Sequence, residues 1–195
     1  MRLPTARGFS LIEMLITLAV LGILFMIGLP SLATWMQNTQ VRNSAEAVLA
    51  GLQLARTEAV RRNRAVQFTL VDNLNAGCAS SSSGSHWVVS LNDPAGVCDE
   101  LPSNTGAQII QKRSGDEGSV NATVSANVQT VTFNGLGRLT TTAVTPTIDF
   151  RNATANCQTG SPVGPIRCLR VNVAPSGSIR MCDPAVSEAA DPRYC

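Results

Sequence analysis

The chain has 195 residues, enough for one domain with an appendage or for two small domains. Its 15 basic and 13 acidic side chains leave a net charge of +2, which excludes nucleic-acid binding driven by overall charge; any such function needs a local basic cluster. Hydrophobic residues make up 44% of the chain, a share raised by one N-terminal run, and the remainder is rich in residues that favour short strands and loops.

The first element along the chain is an apolar run from Phe9 to Leu29 in which Glu13 is the only charged residue. Its length is about the 20 residues that a helix needs to cross a hydrocarbon core. Arg2 and Arg7 precede it, so the positive-inside rule puts the N-terminus in the cytoplasm and the bulk of the chain across the membrane. A cleaved secretory signal is the alternative, but its apolar core would be shorter and followed by a small-residue cleavage site.

Placing the carboxylate of Glu13 in a membrane span has a free-energy cost. A carboxylate costs roughly 2.5–3.5 kcal/mol near the centre of the span and less near the interface. One interpretation is that Glu13 lies close enough to the cytoplasmic face to reach water. The other is that it awaits a positive partner in an assembly, and position alone does not separate the two.

The residues around Glu13 form a motif. The stretch RGFSLIEML, residues 7–15, resembles the class III signal of type IV prepilins and type II secretion pseudopilins. The resemblance implies that a prepilin peptidase removes the leader, residues 1–8, by cutting between Gly8 and Phe9, and that Phe9 is then N-methylated. It also implies that Glu13 neutralises the N-terminal amine of a neighbouring subunit, because an acid and an ammonium group in a low dielectric cost far less paired than apart.

Pro30 follows the apolar run. A proline inside a helix removes one backbone hydrogen bond and kinks or loosens the helix, although transmembrane helices tolerate Gly and Pro in general. Pilin-like subunits have a proline at the matching place, where the helix loosens on entering a filament, so the resemblance assigns Pro30 a role in assembly. Beyond it, apolar residues recur at near-helical spacing to about Arg62, which predicts one long helix.

The rest of the chain has the alternation and β-branched content of antiparallel strands with one buried face. Strands are predicted at residues 65–71, 86–91, 107–112, 119–126, 128–133, 147–151, 166–174 and 178–182. The fold class is therefore α+β, pilin-like, with a long N-terminal helix packed on an antiparallel sheet. We expect a leader at 1–8, a transmembrane and assembly segment at 9–35, and a periplasmic globular domain at 36–195 that includes the second half of the helix.

Three further stretches resemble the GspH/FimT family of minor pilins and pseudopilins. They are LQLARTEAVRRNRAVQF (52–68), VTFNGLGRLT (131–140) and LRVNVAPSGSIRMC (169–182). The resemblance implies a minor pilin that primes a type IV pilus at or near its tip; the alternatives are a GspH-like pseudopilin of type II secretion and a FimT-like DNA-binding pilin. The implied partners are the prepilin peptidase, other pilins or pseudopilins, and the inner membrane before the subunit enters an extracellular pilus or a periplasmic pseudopilus.

DNA is the least supported of these partners. Some FimT-like pilins bind DNA through a Gly-Arg-x-Arg motif; here Gly177 and Arg180 match it, but Ser178 replaces the first arginine. Arg167 and Arg170 are the other candidate contacts, and acidic residues lie close by. Because DNA affinity rises with the number of phosphates neutralised, the sequence argues against strong binding. A second basic run, residues 56–64, is interpreted as a solvated helix end rather than a nucleic-acid patch.

The cysteines all follow the apolar run: Cys78, Cys98, Cys157, Cys168, Cys182 and Cys195. An even number in a region expected outside the cytoplasm predicts disulfides, and the simplest connectivity pairs sequence neighbours. Zinc is the alternative, but C-x-x-C spacing is absent and His86 is the only histidine.

Catalytic residues are not predicted. SSGSH, residues 82–86, lacks the glycine spacing of a nucleophile elbow, and NGLGRL, residues 134–139, does not precede a helix as a dinucleotide-binding loop would. Asp149 and Asp183 are interpreted as isolated acids. The sequence therefore predicts a non-enzymatic protein with neither a cofactor nor a metal.

Overall fold

The structure, a computed structural model, describes residues 9–141 and 143–195, and at residues 27–30 it describes the backbone alone. Helix α1 spans Leu11–Arg62. The strands that follow it are β1 (Val66–Val71), β2 (His86–Ser90), β3 (Ile109–Arg113), β4 (Ala122–Ala126), β5 (Thr130–Phe133), β6 (Thr147–Asn152), β7 (Leu169–Val173) and β8 (Ile179–Cys182). The predicted α+β fold class is confirmed, and each predicted strand matches an observed one.

The chain divides into two compact units, one ending at Met36 and the other formed by Gln37–Cys195. In the first unit, the side chains from residue 9 to residue 26 are exposed and mostly apolar. Among the described residues, α1 is the one helix that is long and apolar enough to cross a membrane, judged by length and composition. Such a helix is suited to anchoring the chain in a membrane.

In the second unit, α1 has an apolar stripe and a defined end. The buried residues recur at spacings of three, four and seven, as one face of a helix requires: Val41, Ala45, Val48, Leu52, Ala55 and Ala59. Asn63 follows the last helical residue with a φ of 49°. The N–H groups of Asn63 and Arg64 donate to the carbonyl oxygens of Val60 and Ala59, each at 3.2 Å, which makes a Schellman motif.

The strands form two four-stranded antiparallel sheets rather than the single sheet that the sequence suggests. Their orders are β3-β2-β1-β5 and β4-β6-β7-β8. One core contains the helix stripe and both sheets, with Phe68, Phe133 and Phe150 fully buried. Gly51 allows the helix to approach the sheet, since a Cβ there would lie 2.8 Å from the ring of Phe68.

Candidate assembly site and interaction surfaces

The predicted assembly site lies at the start of α1. Glu13 is in the first helical turn, where the helix dipole favours a negative charge. Its side chain is exposed, and within the described part of the chain it forms no ion pair. Phe9 is exposed as well, whereas Gly8 lies outside the described residues. The helix backbone continues through position 30, so the loosening assigned to Pro30 stays a prediction for the filament.

Three disulfides pair the cysteines as sequence neighbours: Cys78–Cys98, Cys157–Cys168 and Cys182–Cys195. No cysteine of the described chain is free, so none is available as a metal ligand. The first disulfide belongs to a second apolar cluster with Val71, Val88 and Ile109, and the third closes the segment that follows β8. The globular unit is therefore cross-linked in its long connections and in its last segment.

The candidate DNA contacts in β7 and just before it are already bound by carboxylates. Arg170 Nε donates to Asp149 Oδ1 at 2.7 Å, and this hydrogen bond raises the pKa of the guanidinium. Arg167 Nε donates to Asp183 Oδ2 at 2.5 Å. Asp149 and Asp183 are therefore not isolated acids, and that prediction is wrong. Strand register is the reason for the first pair, because Asp149 lies directly opposite Arg170.

The remaining candidates lie at the β7–β8 turn. Arg180 donates to the backbone carbonyl oxygens of Pro192 and Tyr194 in the segment closed by the last disulfide. Arg170 and Arg180 line one cleft with Asn172, and Gly177 occupies the turn with a φ of 81°. The structure thus brings Arg170 and Arg180 together, and each donates to protein groups, although the side chain of Arg180 is exposed.

The pair Arg167–Asp183 gives a test of stability. We expect Arg167→Ala to lower the free energy of unfolding by about 1–2 kcal/mol, because Asp183 is 3% exposed and would lose its cation. The expected loss is below that of a fully buried pair because the Arg167 side chain is 43% exposed. Denaturant titration of the full chain in detergent measures the difference.

Arg193→Ala is the matched control. Arg193 bonds the more exposed Asp191 at 2.6 Å and lowers the pKa of that carboxyl to about 2. Solvent screens pairs between exposed groups, so this variant should be nearly as stable as the wild type. If Arg167→Ala and Arg193→Ala lowered the free energy of unfolding equally, the burial of Asp183 would not strengthen its ion pair.

These features define a class of protein. An N-terminal methylation motif, one long apolar helix and antiparallel sheets cross-linked by disulfides make the chain a subunit of the GspH type. Residues 44–183 match the family of the type II transport protein GspH, and residues 4–29 match the prokaryotic N-terminal methylation motif. The chain belongs to the GspH family, which confirms the resemblance drawn from its sequence.

Two solved structures are similar to this chain, and the first of them supports the fold. The type IV minor pilin FimU of Pseudomonas aeruginosa PAO1 aligns with a TM-score of 0.51 and 18% identity, over 75% of this chain and 91% of that chain. The minor pseudopilin EpsH from the type 2 secretion system of Vibrio cholerae aligns with a TM-score of 0.46 and 10% identity, over 75% and 99%. A sequence search among curated proteins gives no match.

Proposed function

We propose that this chain is a minor pilin that primes assembly of a type IV pilus at or near its tip, without enzymatic activity. The observation that supports this most is the first part of α1, an exposed apolar helix with one carboxylate that has no ion-pair partner in the described chain. A helix that is apolar all round is stable only inside a membrane or among other helices. A subunit that moves from a membrane into a helical bundle meets both conditions.

The proposed sequence of events follows from this segment. The chain first spans the inner membrane with its N-terminus in the cytoplasm and the globular unit in the periplasm. The prepilin peptidase then cuts between Gly8 and Phe9, and the new amine of Phe9 is methylated. In the filament, Glu13 neutralises the N-terminal amine of a neighbouring pilin while the helix loosens near Pro30.

The main alternative is a minor pseudopilin of a type II secretion system, and the description of the matching family favours it. The C-terminal segment closed by Cys182 and Cys195 supports the pilus instead, because it resembles the disulfide-bounded loop of pilins. DNA binding has less support, since Arg167 and Arg170 are bound by carboxylates and Arg180 donates to backbone carbonyls.

Deleting the gene in its own bacterium tests the proposal. We expect surface pili to be lost, type II secretion to continue, and a plasmid copy to restore the pili. Gold labelling of an epitope-tagged copy should mark pilus ends. Secretion lost with pili intact would assign the chain to the secretion system, and label spread along the shaft would contradict a place at the tip.

A further inference from the structure

Most basic side chains of the described chain are bound by other protein groups. Ion pairs or backbone carbonyls engage Arg42, Arg61, Arg62, Lys112, Arg113, Arg167, Arg170, Arg180 and Arg193. Within residues 9–141 and 143–195, four arginines form neither a hydrogen bond nor an ion pair through their side chains: Arg56, Arg64, Arg138 and Arg151. Three of the four lie around the end of α1.

Two glycine turns lie beside the side chain of Arg56. Gly137 and Gly177 have φ values of 73° and 81°, and a Cβ on either would lie 3.3 Å from Arg56 Nε. The turns also pack on each other, because a Cβ on Gly177 would collide with the carbonyl oxygen of Gly137. The N–H of Leu139 donates to the carbonyl oxygen of Pro175 at 3.2 Å. The Nε atom of Arg56 thus lies against a platform made by the two packed turns.

Arg138 and Arg64 extend from the same platform. Arg138 directly follows Gly137, and its N–H donates to Asn134 Oδ1 at 3.1 Å, which fixes the turn. The end of α1 contacts this turn as well, since a Cβ on Gly135 would lie 2.7 Å from Asn63 Oδ1. Arg64 is the next residue, and both Arg64 and Arg138 are exposed.

Apolar side chains lie among these cations. Leu136 is 78% exposed and Val60 is 52% exposed, and a Cβ on Gly137 would lie 3.0 Å from Val60 Cγ2. The arginine surface is defined as Arg56, Val60, Arg64, Leu136 and Arg138.

The acids of the helix do not neutralise this surface. At 100° per residue, Glu58 lies on a different face of the helix from Val60, and its carboxylate is bonded to Arg61 and Arg62. Glu46 is about 15 Å along the helix from Arg56 and is paired with Arg42. Within residues 9–141 and 143–195, the positive charge of the arginine surface is therefore not compensated by the acids of α1, and no ion pair is formed by its three arginines.

We propose that the arginine surface binds an acidic surface on another pilin-class subunit. This inference rests on the proposed function, because it names the contact by which the globular unit would select a neighbour. Arginines around an exposed apolar centre are typical of protein interfaces. The packed turns fix the backbone on which Arg138 and Leu136 stand, which reduces the entropy lost on binding, and opposite charge speeds the encounter. The arginine surface has three cations around two apolar side chains, which favours a protein partner over nucleic acid. Affinity for a phosphate backbone grows with the number of phosphates that the protein neutralises, and three are few.

The test uses the full-length chain in detergent, with the other prepilin-peptidase substrates of the same bacterium purified singly as probes. We expect one of them to bind at low salt and more weakly at physiological salt. Arg138→Glu and Arg64→Glu should each weaken binding by about fivefold to tenfold. Arg151→Glu is the matched control, since Arg151 is equally unpaired and exposed but lies on β6, and it should bind as the wild type does.

Leu136→Ser is a second variant at an exposed turn position and should also weaken binding, and unfolding curves verify that each variant is folded. Wild-type affinity of Arg138→Glu and Arg64→Glu, or the absence of any binding subunit, would overturn the proposal. Binding of short duplex DNA that the same substitutions abolish would also overturn it, in favour of nucleic acid. If these variants bind and enter filaments normally while Glu13→Ala does not, the proposed function stands and this inference fails.

Discussion

Glu13→Ala is expected to yield a chain that is cleaved after Gly8 and methylated at Phe9 but absent from filaments. The proposed cleavage site is the junction before Phe9, whereas Glu13 lies further along the helix and has no ion-pair partner within the described residues. Losing the carboxylate should favour the membrane stage, because an acid costs roughly 2.5–3.5 kcal/mol inside a span. The defect should therefore arise only when subunits assemble.

The size of the effect follows from the pairing. Without Glu13, the neighbouring amine would be buried without its counter-charge, and removing one partner of a buried ion pair costs about 3–5 kcal/mol. Every 1.4 kcal/mol changes an equilibrium about tenfold, so incorporation should fall by more than about tenfold. Immunoblots of membrane and sheared-filament fractions measure incorporation, and mass spectrometry of the N-terminus reports cleavage and methylation.

Glu46→Ala is the matched control for this experiment. It removes an exposed carboxylate from the same helix, outside the apolar segment, where Glu46 is paired with Arg42. This variant should be processed and incorporated normally. If Glu13→Ala also enters filaments at the wild-type level, the proposed ion pair with the neighbouring amine does not exist.

The elements of the fold were predictable because their signals are local. Basic residues in the last turn of α1 indicated an end near Arg62, and the Schellman motif at Asn63 accounts for it. The strands could be predicted from the alternation of apolar and polar residues, but the pairing of the strands could not. β1 pairs with β5 across three intervening strands, and β4 pairs with β6 in a separate sheet. Such pairings depend on packing between distant segments, which no window of sequence contains.

The same limit explains the errors at the charged residues. Asp149 and Arg170 are far apart in the sequence, and only strand register brings them together. The arginine surface depends on contact between the turns at Gly137 and Gly177, which the sequence showed as two unrelated turns. Glu13 is the opposite case, since a contiguous motif identifies it, although the partner proposed for it belongs to another chain.

Cys78→Ser/Cys98→Ser is expected to lower the free energy of unfolding by about 3–5 kcal/mol. Closing a loop of this length stabilises a domain by about 3 kcal/mol through the unfolded state. Both cysteines are buried, at 4% and 0% exposure, and the carbonyl oxygen of Pro94 lies 3.4 Å from each sulfur, so two serine hydroxyls there are partly compensated and add a desolvation cost of about 0.5–2 kcal/mol. Denaturant titration of the full chain in detergent, followed by tryptophan fluorescence, measures the loss.

Two further variants separate these contributions. Cys78→Ala/Cys98→Ala introduces no hydroxyl and should recover about 0.5–2 kcal/mol. Cys182→Ser/Cys195→Ser removes a disulfide in which Cys195 is exposed. It should lower the free energy of unfolding by no more than the contribution of loop closure, about 3 kcal/mol. Hydrogen bonds also hold the segment around Cys98, because Lys112 Nζ donates to the carbonyl oxygens of Cys98 and Asp99, each at 2.8 Å. If the Cys78→Ser/Cys98→Ser chain is as stable as the wild type, these contacts hold the segment without the covalent bond.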